Sequence, residues 1–252
     1  MTDHVMNDLL ASFPREREPL TPAHEACYVE EYHANRLGRG ALFSVTAALE
    51  SWMHRKVAAH ASGNSILELG AGTLNHVPFE SSSVPYDVVE PFRAFWEDSP
   101  YRSRIHSFYD DISEVPEQRR YDRIIAIAVL EHLVDLPNVV ARVGTLLTSE
   151  GRFQVGIPTE GGALWGLAWR CTTGIAYRLR TGLSYANVMR HEHVNNANEI
   201  GRVLRYFFGE VKLSRFPLPA YHLSFYTFID VGRVRRDRCL DFISVRNRTS
   251  IS

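Results

Sequence analysis

Two carboxylates and a glycine turn carry the first chemical signal in this chain. The stretch "ILELGAGTLNHV" (66–77) ends an apolar run with Glu68 and enters Gly70-Ala71-Gly72 at once. Glycines let a backbone approach a ligand, and a helix started behind the turn would offer unpaired N–H groups. The three-glycine dinucleotide fingerprint is incomplete, because Asn75 stands where its last glycine would be, and the Lys-Ser/Thr of a phosphate loop is missing. An acid two residues before the first glycine repels a pyrophosphate and attracts a cation or an ammonium group. Glu90 closes the next apolar run, "YDVVEP" (86–91), 22 residues after Glu68. That spacing suits an acid that accepts hydrogen bonds from a ribose diol. A ligand with a positive amino-acid end and an adenosine end would meet both acids, and S-adenosylmethionine is such a ligand.

A second set of groups could act on an acceptor. Glu131 and His132 lie in "AVLEHL" (128–133), and His191, Glu192 and His193 lie in "RHEHVN" (190–195). A histidine here can take a proton from a hydroxyl, or cap a local turn. His-x-His with Glu131 and His132 could also chelate a divalent ion. Ala128 stands where the further acid of such a set would fall, so a metal-free site is the expectation.

These residues need a scaffold, and the hydropathy pattern supplies one. Short apolar runs occur at 65–70, 86–91, 104–112, 121–130 and 151–158, and two closing strands are expected at 209–219 and 222–234. Helical spacing of Val139, Val140, Val143, Leu146 and Leu147 precedes Gly151, read as a C-cap. Asn196 or Asn198 is a plausible N-cap for the helix that follows. Strands alternating with helices imply a parallel sheet covered on both faces.

The motifs "ILELGAGT", "VVEPF", "YDDI" and "YDRIIAIAVLEHL", in this order and spacing, resemble the class I S-adenosylmethionine-dependent methyltransferases. The resemblance spans roughly residues 60–160. It implies an α/β fold: a doubly wound, mostly parallel, seven-stranded Rossmann-like sheet with helices on both faces and a helical cap. It also implies S-adenosyl-L-methionine as cofactor. Gly70, Ala71 and Gly72 would pass under its methionine part, and Glu68 would help fix the ammonium end through the turn or a water. Glu90 would bind the ribose, with Pro91 and Phe92 beside the adenine. Asp111 and Ile112 match the position at the adenine edge, with Asp110 as the rival, and Ala128 and Val129 would line the pocket. "AVLEHL" resembles the branch that modifies sugars, quinones and lipids, and the insertion at 159–195 would be the acceptor lid. There Trp165, Trp169, Tyr177 and Tyr185 could stack on a sugar, and Arg170, Arg178, Arg180 and Arg190 could clamp phosphate or carboxylate. The same residues also suit a subdomain core or a dimer interface.

Bulk properties narrow the partners. Hydrophobic residues make up 45% and charged residues 23% of the 252-residue chain, which fits a soluble globular protein. A net charge of -1, with Lys56 and Lys212 the only lysines, gives no basic face for nucleic acid. The motif for amino-group base methylation is missing after the fourth strand. Arginine suits planar anions, and a compositional bias gives the same excess. The three cysteines form no C-x-x-C pair and the N-terminus carries no long apolar core, so a reduced, cytoplasmic protein is expected. The expected plan is a polar arm (1–22), a helical cap (23–62), the methyltransferase domain (63–235) with its insertion, and a fraying tail (236–252). The expected reaction is O-methylation of a small polar acceptor, a sugar or surface-polysaccharide precursor, phosphorylated or lipid-linked. Peripheral membrane contact is compatible with the amphipathic insertion. N-methylation of a small molecule and a catalytically inactive binding protein are the alternatives.

Overall fold

The computed structural model describes residues 3–27, 43–61 and 63–249. The sequence is α1 (Asp3–Ala11), α2 (Phe43–Ala58), β1 (Ile66–Leu69), β2 (Tyr86–Val89), α3 (Arg93–Trp96), β3 (Ser107–Tyr109), β4 (Tyr121–Ile127), α4 (Leu136–Leu146) and β5 (Leu147–Pro158), then four helices and two strands. The helices are α5 (Ala163–Trp169), α6 (Ile175–Thr181), α7 (Tyr185–Glu192) and α8 (Ala197–Phe207). The strands β6 (Phe208–Pro217) and β7 (Ser224–Val234) precede α9 (Arg236–Thr249). The seven strands form one sheet in the order β3-β2-β1-β4-β5-β7-β6. Pairs among β1 to β5 are parallel, and β7 runs antiparallel to both β5 and β6. The expected fold is the observed one.

Alternation along the strands sorts side chains to two faces. Leu67, Leu69, Ile124, Ala126, Phe153 and Val155 pack with the apolar faces of α4 and α8. Ile66, Tyr86, Val88, Ile125 and Ile127 point the other way and pack with Met53 and Val57 of α2. Glu68 and Arg123 share the parity of this second set, so two charged groups are buried beneath α2. In α2, the helix of the expected cap, Met53 is buried and Trp52 half-buried. The side chains of Leu42, Val45 and Leu49 lie outside the described set.

Three expectations need correction. The segment read as a polar arm contains α1, whose Met6, Leu9 and Leu10, with Phe13 behind them, are buried in the core. Polar residues between these positions hid the apolar stripe. The tail read as fraying is α9, with Cys239 buried and Phe242 and Ile243 against the core. Gly151 caps no helix, because α4 runs straight into β5 at Leu147 and Gly151 lies within the strand. A Cβ there would stand 3.0 Å from the Tyr121 carbonyl oxygen, so close strand packing explains the glycine.

The helix expected behind the glycine turn is also missing. A turn leads only to a short 3-10 segment, Val77–Phe79, with Pro78 inside it. A buried polar chain braces this segment instead. His54 Nδ1 of α2 is 3.1 Å from His76 Nδ1, and His76 Nε2 is 2.8 Å from Glu80 Oε1, which also pairs with Arg123. Phe79 stacks on His54 with ring centroids 5.4 Å apart. Helix α2 thus takes over the covering role that a helix between β1 and β2 would have.

Burial, then the adjacent His76, pushes His54 down to about 3. The unfolded chain takes up this proton below about pH 6.5, whereas the folded ring stays neutral. The contribution of His54 to stability is therefore complete above that pH and is lost as pH falls toward 3. Relative to His54→Gln, the parent should lose about 1.4 kcal/mol per pH unit between roughly pH 6 and pH 4 in urea unfolding. A difference that stays constant with pH would contradict the assignment.

Candidate active site

The candidate cofactor half of the site lies where β1, β2 and β4 end. Gly70 and Gly72 have φ of 63° and 51°, the left-handed region that glycine adopts without strain. A Cβ on Gly70 would sit 2.5 Å from Val129 Cγ2, so the turn after β1 and the turn after β4 touch across this glycine. Ala128 itself has φ of 55°, a strained backbone at the exposed end of β4.

Glu90 ties the turn to the end of β2. Its Oε2 accepts the Gly72 N–H at 2.8 Å, and its Oε1 accepts the Phe92 N–H at 3.0 Å. Each carboxylate oxygen can accept more than one hydrogen bond, so a fixed carboxylate here can still receive a diol. Pro91 and Phe92 are exposed beside it, and the Trp96 indole N–H reaches the Glu90 carbonyl. Glu68 lies deeper. It is 2% exposed and its Oε2 accepts the Tyr86 hydroxyl at 2.8 Å. Burial raises its pKa above the usual carboxylate range. Glu68 therefore stands beneath the turn, together with buried Ala71, rather than on an open cleft wall. Asp111 is exposed and caps the segment Ile112–Glu114 by accepting the Ser113 N–H at 2.8 Å, while Ile112 joins the core. Asp110 is exposed too, its N–H bound to Glu114.

The candidate acceptor half lies past β4 and β5. Leu130–His132 forms a 3-10 turn, and Asn195, itself buried, clamps it by donating to the Leu130 and Leu133 carbonyls. His132 and His193 meet edge to face, with centroids 4.9 Å apart. His193 Nδ1 is 3.0 Å from Glu160 Oε2, and that oxygen also accepts the Trp165 indole N–H. His132 Nδ1 is 2.9 Å from the Glu192 carbonyl oxygen and 3.1 Å from the Glu192 carboxylate. Glu131 is buried, with Oε1 3.9 Å from His132 Nε2. His191 turns away, its Nδ1 2.7 Å from the Glu18 carbonyl oxygen, so it joins the N-terminal segment rather than the pair. Arg17 holds the same region by donating to the carbonyls of His132, His191 and Glu192. Among the described residues no group of three or more His, Cys, Asp or Glu side chains is arranged to hold a metal ion.

Electrostatics sets the two partners apart. Burial pulls His193 down, but its hydrogen bond to Glu160 and the charges of Glu131, Glu160 and Glu192 outweigh it, so the ring titrates above the usual histidine value. Burial pushes Glu160 up, but His193 and the Trp165 N–H outweigh that, and the carboxyl titrates low. Glu192 is raised by burial despite Arg17 and His193. Sequence reasoning missed Glu160, Asn195 and Arg17. The Trp165 and Arg190 expected at the acceptor serve as supports, since Arg190 pairs with Glu18 at 2.8 Å. Trp169, Tyr177 and Tyr185 pack on one another.

A family model described as "Methyltransferase domain" matches residues 44–204, well over half of the chain. The chain belongs to the methyltransferase family. Solved structures of low identity share its fold. A SAM-dependent methyltransferase from Thermotoga maritima, titled a possible histamine N-methyltransferase, has a TM-score of 0.58 at 17% identity, over 84% of this chain and 98% of that one. A SAM-dependent methyltransferase from Archaeoglobus fulgidus has a TM-score of 0.57 at 10% identity, over 80% and 98%. An O-methyltransferase family protein from Burkholderia thailandensis has a TM-score of 0.55 at 12% identity, over 92% and 70%. Comparison of the sequence with curated proteins gave no match. This methyltransferase is an S-adenosylmethionine-dependent enzyme. The fixed Glu90 carboxylate and the Cβ-free turn at Gly70 and Gly72 fit that cofactor.

Two variants check the cofactor half. Glu90→Gln cannot accept the Gly72 and Phe92 N–H groups on both arms, and should weaken S-adenosylmethionine by about 1.5–3 kcal/mol, roughly tenfold to a hundredfold in Kd. Calorimetric affinity equal to the parent's would remove Glu90 from the site. Gly70→Val should abolish binding by driving the turn off Val129, whereas Gly182→Ala, with φ of 75° and nothing within 4 Å, should bind normally. Equal calorimetric binding by the Gly70→Val protein would refute the turn's role.

Proposed function

We propose that this methyltransferase is an O-methyltransferase acting on a hydroxyl of a small polar acceptor, with sugars and surface-polysaccharide precursors as the first candidates. The observation that carries this reading is the His193–Glu160 pair beside His132 at the carboxyl edge of the sheet. When bound, S-adenosylmethionine supplies a methyl group on a sulfonium. The chain's own task is to position an acceptor oxygen and take its proton.

Ionised Glu160 can only accept, so His193 carries its proton on Nδ1 and presents Nε2 as the base. The Glu192 carbonyl fixes His132 in the same sense. Trp165 holds Glu160 by a hydrogen bond, which keeps the base in one orientation, and Asn195 clamps the turn that carries His132. The buried Glu131 adds negative charge that stabilises a protonated His193. The exposed strained Ala128 and the Glu90-bound turn lie on the same sheet edge, where ligands bind in open α/β folds. The intact turn and Glu90 speak against an inactive binding protein. The ring of carboxylates (Glu131, Glu160 and Glu192) would equally attract an ammonium, so a small-molecule amine is the second acceptor class. Three cysteines without a disulfide support a cytoplasmic setting. Among the described residues no helix is long and apolar enough to cross a membrane.

The acceptor class is tested by methyl transfer from labelled cofactor to panels of sugars and amines. Hydroxyl acceptors should be turned over, and transfer to amines alone would overturn the oxygen assignment. The base is tested by pH. The acid limb of kcat/KM should have its midpoint above the ordinary histidine value of about 6.5. Glu160→Gln should shift that midpoint to lower pH, and His193→Ala should cost about 10²–10⁴ in kcat. An unshifted limb and full turnover by His193→Ala would show that the pair is scaffold.

A further inference from the structure

We infer that the insertion helices form a docking surface for an anionic lipid bilayer. This inference stands independently of the acceptor proposed above. From Gly161 to His191 the chain contains no acidic residue, yet it contains Arg170, Arg178, Arg180 and Arg190, in a protein whose net charge is -1. Helices α5 and α6, joined by the π-helical turn Arg170–Gly174, make one rod over residues 163–181. Leu167, Ile175 and Leu179 on that rod are 59%, 51% and 83% exposed. Arg170, Arg178 and Arg180 are exposed on the same rod, and the Arg170 guanidinium lies 4.4 Å from the Trp169 ring centroid. Basic groups interleaved with exposed aliphatic residues, with an indole beside them, are what an interfacial helix presents to phospholipid. Next to the rod, an open cavity of about 480 Å³ is lined by Trp169, Arg170, Ile175, Arg178, Ser184 and Tyr185. Its two arginines suit a headgroup phosphate.

Other occupants fit less well. A second copy seated symmetrically would bring arginine against arginine. Nucleic acid would leave the three aliphatic side chains in water. A bilayer satisfies both, since the arginines meet phosphates while the aliphatic side chains enter the acyl boundary. The rod starts just after Glu160, and its Trp165 donates to the Glu160 carboxylate. A docked rod would therefore hold the acceptor half of the site at the membrane surface.

The test is sedimentation of the full chain with vesicles of phosphatidylcholine alone and of phosphatidylcholine with phosphatidylglycerol. The parent should partition to the anionic vesicles, and added salt should release it. Each of Arg170→Gln, Arg178→Gln and Arg180→Gln should lower the partition coefficient about fivefold. Leu179→Ser should lower it about tenfold, and cofactor affinity should be unchanged in all four variants. Equal partition to both vesicle types, or four variants that bind like the parent, would overturn the inference. So would a dimer in the absence of lipid that Leu179→Ser dissociates without changing vesicle binding.

Discussion

The candidate cofactor site is organised by one carboxylate held in place by two backbone N–H groups. Glu90 reaches from the end of β2 to Gly72 and back to Phe92, and so joins two loops that separate strands deliver. The turn after β1 has no α-helix behind it to fix its N–H groups. The Glu90 bridge takes that role and leaves a preoriented acceptor for a diol. Val129 closes the turn from the β4 side, which is possible only because Gly70 has no Cβ. The candidate cofactor and acceptor halves thus share a wall, because the next residues after Val129 form the turn that carries Glu131 and His132.

Beneath this wall the sheet is braced by polar as well as apolar contacts. His54, His76, Glu80 and Arg123 run in a buried chain from α2 to β4, and Glu68 with Tyr86 lies alongside. Buried polar groups of this kind cost free energy unless paired. Their pairing fixes the relative position of α2, the 3-10 segment and the strands that carry the turn. On the acceptor side the same logic applies at the edge. Arg17 and Asn195 satisfy the carbonyls of the His132 region, so the histidines are set by segments far apart in sequence.

Much of the fold was legible because short continuous apolar runs and glycine turns are local signals. The strands at β1, β2, β4 and β5 stood out because both their faces are buried. The candidate cofactor residues were singled out for the same reason, as Glu90 and the glycines sit at strand ends at a recognisable spacing. Glu160 and Asn195 were not, because they matter only through partners in other elements: Glu160 through His193 and Trp165, Asn195 through Leu130 and Leu133. Helix α1 escaped notice because its buried side is short and surrounded by charge. The missing helix after the turn was misjudged from the family pattern, where Pro78 and the short run to β2 were the contrary signals. Asn196 was the correct choice of N-cap, since Glu199 completes a capping box with it.

A crystal structure with S-adenosylhomocysteine tests the central claim most directly. Both ribose hydroxyls should lie on the Glu90 carboxylate, with the Gly72 and Phe92 N–H groups still donating to it and the product's sulfur facing His132 and His193. A product bound away from Glu90, or a Glu90 side chain rotated off the turn to admit it, would contradict it.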